Sequence, residues 1–445
     1  MKHILSHFLA TAVLAFVAIS VSAQSVKSHK VKKDETIYGI AHAYGITEAE
    51  LRKANPGMER PDYVLKKGNK ILIPVGQSVV PAADSKSSLD DVRQRAIRMG
   101  VMLPLHDKNG DGRRMVEYYR GLLLACDTLK REGLSVDVYA WNTPDDADIA
   151  SILAKPEAAS CDIIFGPLYS KQMDKLSAFC QQHGTMLVIP FSINAPQLAE
   201  NSHVFQVYQA PASLDLSTSR RFAEWFKDYH PVIVDCDNPN STKGSFTTAL
   251  RQELNARNIR YSLTSIRSAD NSFASAFSTQ HPNVVVLNSA NADDLNVMFI
   301  KLRDVVTANA NVKITMFGYP EWMELATSLE GNFHRFDMYL PAPYYTNLSL
   351  PSSQQLAAKY RAAFHQNMST FTPRLALTGF DHALFFLRGL HKYGRSFDGA
   401  AGRFGYQPVQ TPLKFEKQGA NGGYQNRAFM FIHYKTDGRI DTINY

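Results

Sequence analysis

Residues 29–74 read HKVKKDETIYGIAHAYGITEAELRKANPGMERPDYVLKKGNKILIP. Ile37, Ile40, Ala41 and Tyr44 recur at i, i+3, i+4 and i+7, which lays out one apolar face of a short helix. Gly45 follows at once, where a left-handed C-terminal stop is expected. Thr47 and Glu50 have the spacing of a capping box that opens a second helix. Ile71, Leu72, Ile73 and Pro74 read as a closing strand, a mate for a first strand ending at Val31. The pattern predicts a small β-α-α-β unit.

These pieces, in this order, resemble a LysM module, a unit that grips N-acetylglucosamine-containing glycans such as peptidoglycan. The resemblance rests on DET at 34–36, the IA…YGI run, the L…ANP turn, LKKG and ILIP. It implies a shallow groove between the loop after the first strand and the loop after the second helix. Mapped here, one side is Asp34, Glu35, Thr36 and Ile37, and the other is Asn55, Pro56, Val64 and Leu65. Such a groove reads acetamido groups through main-chain hydrogen bonds and apolar contact. Asp34 and Thr36 are also placed to cap the first helix.

Upstream, Met1–Ala23 has the pattern of a secretory signal: Lys2, an apolar core over Phe8–Ile19, and Val21-Ser22-Ala23 before Gln24. Ser6, His7 and Thr11 interrupt the apolar stretch, and a retained membrane anchor is the alternative. No cysteine follows until Cys126, which excludes a lipoprotein attachment site after the signal. The expectation is a periplasmic, wall-associated protein. The formal charge of +7 is concentrated near the glycan module, where residues 24–75 carry ten Lys/Arg against six Asp/Glu, suiting an anionic wall. No basic stripe interleaves with aromatics, so nucleic acid is not an expected partner.

Downstream, GQSVVPAADSKSSLDD at 76–91 lacks periodicity and reads as a flexible linker, taken as 76–93. Beyond it, apolar runs at 97–105, 136–141, 161–166 and 185–191 alternate with helical patterns. A second series follows at 231–236, 283–288 and 314–318. Continuous apolar strands alternating with helices predict parallel sheets covered on both faces. The fold class is therefore α/β: a small N-terminal module, 28–75, then two doubly wound lobes within 94–445. The first lobe is expected over about 94–207 and 340–398, the second over about 208–339 and 399–445.

MVEYYRGLLLACDTL at 115–129, IIFGPLYS at 163–170, LVIPFSINAPQL at 187–198, FQVYQAPAS at 205–213 and ALTGFDHALFFLRGL at 376–390 follow the order of the type I periplasmic binding proteins. The chain resembles their Leu/Ile/Val-binding class, and the LppC-like activators of wall synthesis that share the fold. The resemblance implies a cleft between the lobes, at the carboxyl ends of the strands. Its candidate ligand-binding residues are Tyr169, Ser170, Ser192 and Asn194 on the first lobe, with Lys243 and Glu321 on the second. The second lobe departs from the family, with Lys243-Gly244 where an aromatic often precedes Gly. Glu321 follows Pro320 at a helix start, where a carboxylate also simply complements the helix dipole.

Several motifs carry no chemistry. DKNGDG at 107–112 begins like a calcium loop, but position 12 is Tyr118 rather than Glu. GLHKYGRS at 389–396 has Arg395 where a phosphate loop needs Lys. His183, His203 and His382 are scattered, and neither a zinc-protease helix motif nor a nucleophile elbow is present. No cofactor or metal is expected. Cys161 and Cys180 fall at the same sheet edge, where a disulfide or two buried thiols are both open. The reading is a non-enzymatic wall protein that binds peptidoglycan and uses the two-lobed domain to sense a small polar ligand or dock a wall-synthesis partner. The alternative is an amino-acid receptor of an ABC transporter. Tethering to the wall disfavours the latter, because a transport receptor must shuttle to its permease.

Overall fold

The computed structural model describes residues 25–32, 35, 37, 40–41, 44, 48–59, 63, 65–75, 90–192, 194–400 and 405–445. The secretory signal, Gly45, Thr47 and most of the linker lie outside the described residues. The chain divides into two compact units, Met1–Lys86 and Ser87–Tyr445.

In the first unit, Ser25–Lys30 pairs antiparallel with Lys70–Val75, from Ser25 opposite Val75 to Lys30 opposite Lys70. Ile37, Ile40 and Ala41 are helical, and a second helix spans Glu48–Ala54. Val31, Ile40, Ala41, Leu51, Met58, Ile71 and Ile73 form the core, with Ile37, Tyr44, Tyr63 and Leu65 packed against it. The i, i+3, i+4 stripe therefore faces the strand pair, as its periodicity requires.

The second unit has two seven-stranded sheets, the architecture of the type I periplasmic-binding-protein fold. The first runs 415–417, 424–426, 204–206, 186–189, 163–165, 97–103, 136–142 across the sheet. It is parallel except for the antiparallel edge pair 415–417/424–426. The second runs 440–444, 430–434, 338–342, 314–317, 283–287, 230–235, 262–265, with its two C-terminal strands antiparallel. Strands at 163–165, 186–189 and 283–287 are buried at every position, which accounts for their unbroken apolar sequence.

Sheet membership departs from the expected lobe boundaries at two places. Phe415–Lys417 and Tyr424–Asn426, expected in the second lobe, hydrogen-bond into the first sheet beside Val204–Gln206. Met338–Ala342 straddles the expected 339/340 boundary but lies wholly in the second sheet, between Phe317 and Met430–Tyr434. The chain thus passes between sheets near 207–210, 343–347 and 427–429.

Two helices, Gly110–Arg131 and Leu375–Tyr393, pack backbone to backbone on the first sheet. A Cβ on Gly121 would lie 2.0 Å from the Ala376 carbonyl oxygen, and one on Gly379 would lie 2.1 Å from that of Tyr118. Only glycine permits that approach. Asn109 caps the first of these helices, its Oδ1 accepting from Gly112 N–H, so the DKNGDG loop serves as a helix start. Asp162, buried, receives two bonds from Arg95 at 2.7 and 2.9 Å, one from Arg98 N–H and one from Arg395 at 3.3 Å. That clasp fastens the segment entering the unit to the first sheet.

The four cysteines are free, and burial raises the thiol pKa of Cys126 and Cys161 to about 12 and that of Cys180 further. Among the described residues, no helix is long and apolar enough to cross a membrane, and no cluster of His, Cys, Asp and Glu could hold a metal ion.

Candidate functional sites in the two units

Asn55 is the centre of the small module rather than an open ligand. Its Nδ2 donates to the Leu51 and Leu72 carbonyls at 2.8 and 2.7 Å, and its Oδ1 accepts from Leu72 N–H at 2.8 Å. It pins the second helix to the outer strand. Glu35 is similarly occupied. Its Oε2 accepts from Lys32 N–H at 2.7 Å and lies 2.8 Å from His29 Nε2, whose other nitrogen is 2.8 Å from the Tyr44 hydroxyl. The Lys32 N–H, then His29, hold the Glu35 carboxyl below its usual pKa. Pro56 is exposed beside this clamp, and Leu72 is 48% exposed on the strand it holds. Ile37 and Leu65 are half-buried against the core. Asp34, Thr36 and Val64 lie outside the described residues.

In the second unit a cleft of about 640 Å³ is lined from both lobes and from the connections between them. Of the six residues expected there, Lys243 and Glu321 line it. They pair with each other, Nζ to Oε1 at 2.6 Å, while Lys243 also lies 4.7 Å from the centre of the Tyr319 ring. Glu321 sits in the first turn of the 3₁₀ helix Pro320–Leu325, so both roles read for it coincide in one place.

The four first-lobe residues are not among the lining side chains. Ser192 and Asn194 close a local turn, the Ser192 hydroxyl donating to the Asn194 carbonyl and accepting from its N–H. Ser170 is exposed at the start of a 3₁₀ turn. Tyr169 acts at one remove, donating to Asp111 Oδ2 at 3.3 Å, and Asp111 does line the cleft, bonded to Arg114 at 2.9 Å.

The lining comes instead from the connections and one helix. Val207, Tyr208 and Gln209 contribute from one crossing, and Pro343 and Tyr344 from another. Thr378 and His382 come from Leu375–Tyr393. His382 is wholly buried; its Nδ1 is 2.9 Å from the Tyr118 hydroxyl, and burial pushes its pKa down to about 3, so the ring is neutral. Next to it, Asp381 accepts from the N–H groups of Val409, Gln410 and Thr411 at 2.7–2.8 Å. Burial raises its carboxyl to about 7 against the pull of those three donors.

The signal missed in the sequence is the polar trio Thr378, Asp381 and His382, at i, i+3 and i+4 in the largely apolar helix LALTGFDHALFFLRGL. A polar stripe inside a buried helix must be satisfied by something outside it. Here Asp381 fastens a loop, Thr378 accepts from Gln410 at 2.8 Å, and His382 borders the cleft.

Comparison with known proteins agrees with this division. Residues 29–74 match the profile of the LysM domain family. No curated protein sequence matches the chain. Among solved structures, one similar fold is a protein provisionally assigned as a branched-chain amino acid ABC transporter, from Rhodospirillum rubrum. It has 14% identity, covers 78% of this chain and all of that one, and gives a TM-score of 0.51. The substrate-binding protein of an ABC transporter from Desulfitobacterium hafniense, in complex with Leu, has 15% identity, the same coverage and a TM-score of 0.40. LpoA from Haemophilus influenzae has 14% identity over 80% of this chain and 60% of its own, with a TM-score of 0.48. At such identities the likeness speaks of fold alone.

Proposed function

We propose that this is an exported, non-enzymatic cell-wall protein. The N-terminal module holds it on N-acetylglucosamine-containing peptidoglycan, and the two-lobed unit senses a small molecule in its cleft. The observation that carries the reading is the module at 29–74, whose LysM match is joined to a complete apolar core. Pro56, Ile37, Leu65 and Val64 supply apolar contacts for the sugar, and Asp34 and Thr36 the hydrogen bonds to its acetamido group. Asn55 and Glu35 hold the groove in shape. The basic excess over residues 24–75 adds attraction to an anionic wall.

An amino-acid receptor is disfavoured by charge. The two cleft cations, Arg114 and Lys243, are each already bonded to a carboxylate, which weakens the attraction of either for a ligand carboxylate. Wall tethering also opposes the shuttling that transport requires. The test is co-sedimentation with purified sacculi. Deletion of residues 24–75 should abolish pull-down while the second unit keeps its unfolding transition. Undiminished pull-down by the truncated chain would reject the anchoring role.

A further inference from the structure

Among the described residues, His382 Nε2, Gln209 Oε1 and Thr411 Oγ1 are buried with no hydrogen-bond partner, and all three residues line the cleft. Buried polar atoms are nearly always paired, and these three leave the cavity wall with groups that a polar ligand atom can meet. His382 has already committed Nδ1 to Tyr118, which leaves Nε2 as the nitrogen available to a ligand.

The charges lining the same cavity are unbalanced. Asp111, Asp215, Glu321 and Glu324 stand against Arg114 and Lys243. Arg114 pairs with Asp111 and Lys243 with Glu321, while Asp215 and Glu324 have no ion pair among the described residues. Asp215 is half-buried; burial raises its carboxyl pKa, with Lys243 pulling the other way. Around these groups the wall is aromatic and aliphatic, with Phe191, Tyr208, Met323 and Tyr344. Aromatic faces beside unpaired carboxylates attract organic cations.

We infer that the cleft is a site for a small organic amine. Its ammonium group is held by Asp215 and Glu324, its apolar body packs against Tyr208 and Tyr344, and a neutral hydroxyl or amide group meets His382, Gln209 and Thr411. This deepens the sensor reading above and rests on it. It also inverts the polarity expected of a carboxylate-binding cleft.

The test is isothermal titration of the full chain at low salt with three phenols of nearly one shape: tyramine, 4-ethylphenol and 3-(4-hydroxyphenyl)propionate. Tyramine should bind at least about tenfold more tightly than the neutral phenol, the size of a charge-assisted contact, and the propionate should not bind detectably. Asp215→Asn should remove that preference and leave 4-ethylphenol binding unchanged. Glu324→Gln repeats the measurement at an exposed position where folding is not at stake. Equal binding of the three, preference for the propionate, or no tyramine binding at millimolar concentration would overturn the inference. Sacculus pull-down of the same protein separates the outcomes. Retained pull-down without amine binding rejects the ligand class alone, whereas lost pull-down rejects the anchoring role.

Discussion

Replacing Asn55 by Ala separates two roles that a glycan-groove residue can play. The side chain makes three hydrogen bonds, to Leu51 O, Leu72 O and Leu72 N–H. Each is worth about 0.5–1.5 kcal/mol net, and the Leu72 groups are accessible enough to be rehydrated, so the expected cost is about 1.5–3 kcal/mol. A module of about 46 residues has an unfolding entropy on the order of 0.1 kcal/mol/K, so that cost lowers its midpoint by roughly 15–30 °C. It is also a large fraction of the roughly 2–7 kcal/mol available to a unit of this size. Hydrogen exchange over residues 48–75 should therefore speed up throughout the second helix and closing strand. Sacculus binding should match the parent chain in the cold and disappear on warming. Weaker binding at every temperature, with exchange unchanged, would show that Asn55 touches the sugar directly and would refute the clamp.

Gly379→Ala drives a methyl group to 2.1 Å from the Tyr118 carbonyl oxygen and should destabilise the second unit by at least about 1–3 kcal/mol. Gly57→Ala, with open space around it, should leave the module's glycan binding intact; calorimetry and pull-down check the pair. Asp162→Asn removes one of the two carboxylates paired with a largely buried Arg95, which keeps Asp90 at 2.9 Å, and should cost about 1.5–3 kcal/mol, visible as a drop in the calorimetric midpoint. For pH, His382 has a folded pKa of about 3, depressed from 6.5, so its neutral form contributes stability above 6.5 that is lost as pH falls toward 3. Asp381, raised to about 7, works oppositely: its contribution is full below 3.8 and is lost as pH rises through 7. His382→Gln should therefore gain on the parent chain by up to about 3 kcal/mol between pH 6.5 and about pH 4, and a parallel pair of melting curves would disprove this.

The parts of the fold that were legible are those where one segment's sequence fixes its own surroundings. Strands such as Val284–Leu287 are apolar at every position because both faces are covered. Ile37, Ile40 and Ala41 announce a helix because one stripe must meet a sheet. Phe415–Lys417 and Tyr424–Asn426 were misplaced because three-residue strands with sequences FEK and YQN carry no periodicity, and their sheet is chosen by distant partners. The cleft was only half legible for a related reason. Strand-end loops supplied Lys243 and Glu321, but the remaining walls come from inter-lobe connections and from His382. Their convergence is a property of three chain crossings, not of any local motif.

The order in which the first sheet is completed bears on how the chain is made. Its central strands, 97–103 through 204–206, exist once 206 residues have been synthesised. The helix that covers them, Leu375–Tyr393, and the last sheet strand, Tyr424–Asn426, arrive only after the whole stretch 211–342 has been built. Until then Tyr118, Leu122, Val101 and Phe165, all buried in the finished lobe, lack Phe385, Phe386 and Leu387 beside them. The later lobe is nearly contiguous and lacks only its two C-terminal strands. Assembly is therefore out of sequence: the lobe begun first waits for residues 375–426 before its sheet face is covered, while the stretch 211–342 of the other lobe is made in between. A nascent chain of between 206 and 375 residues thus exposes an apolar sheet face that Leu375–Tyr393 covers in the finished protein.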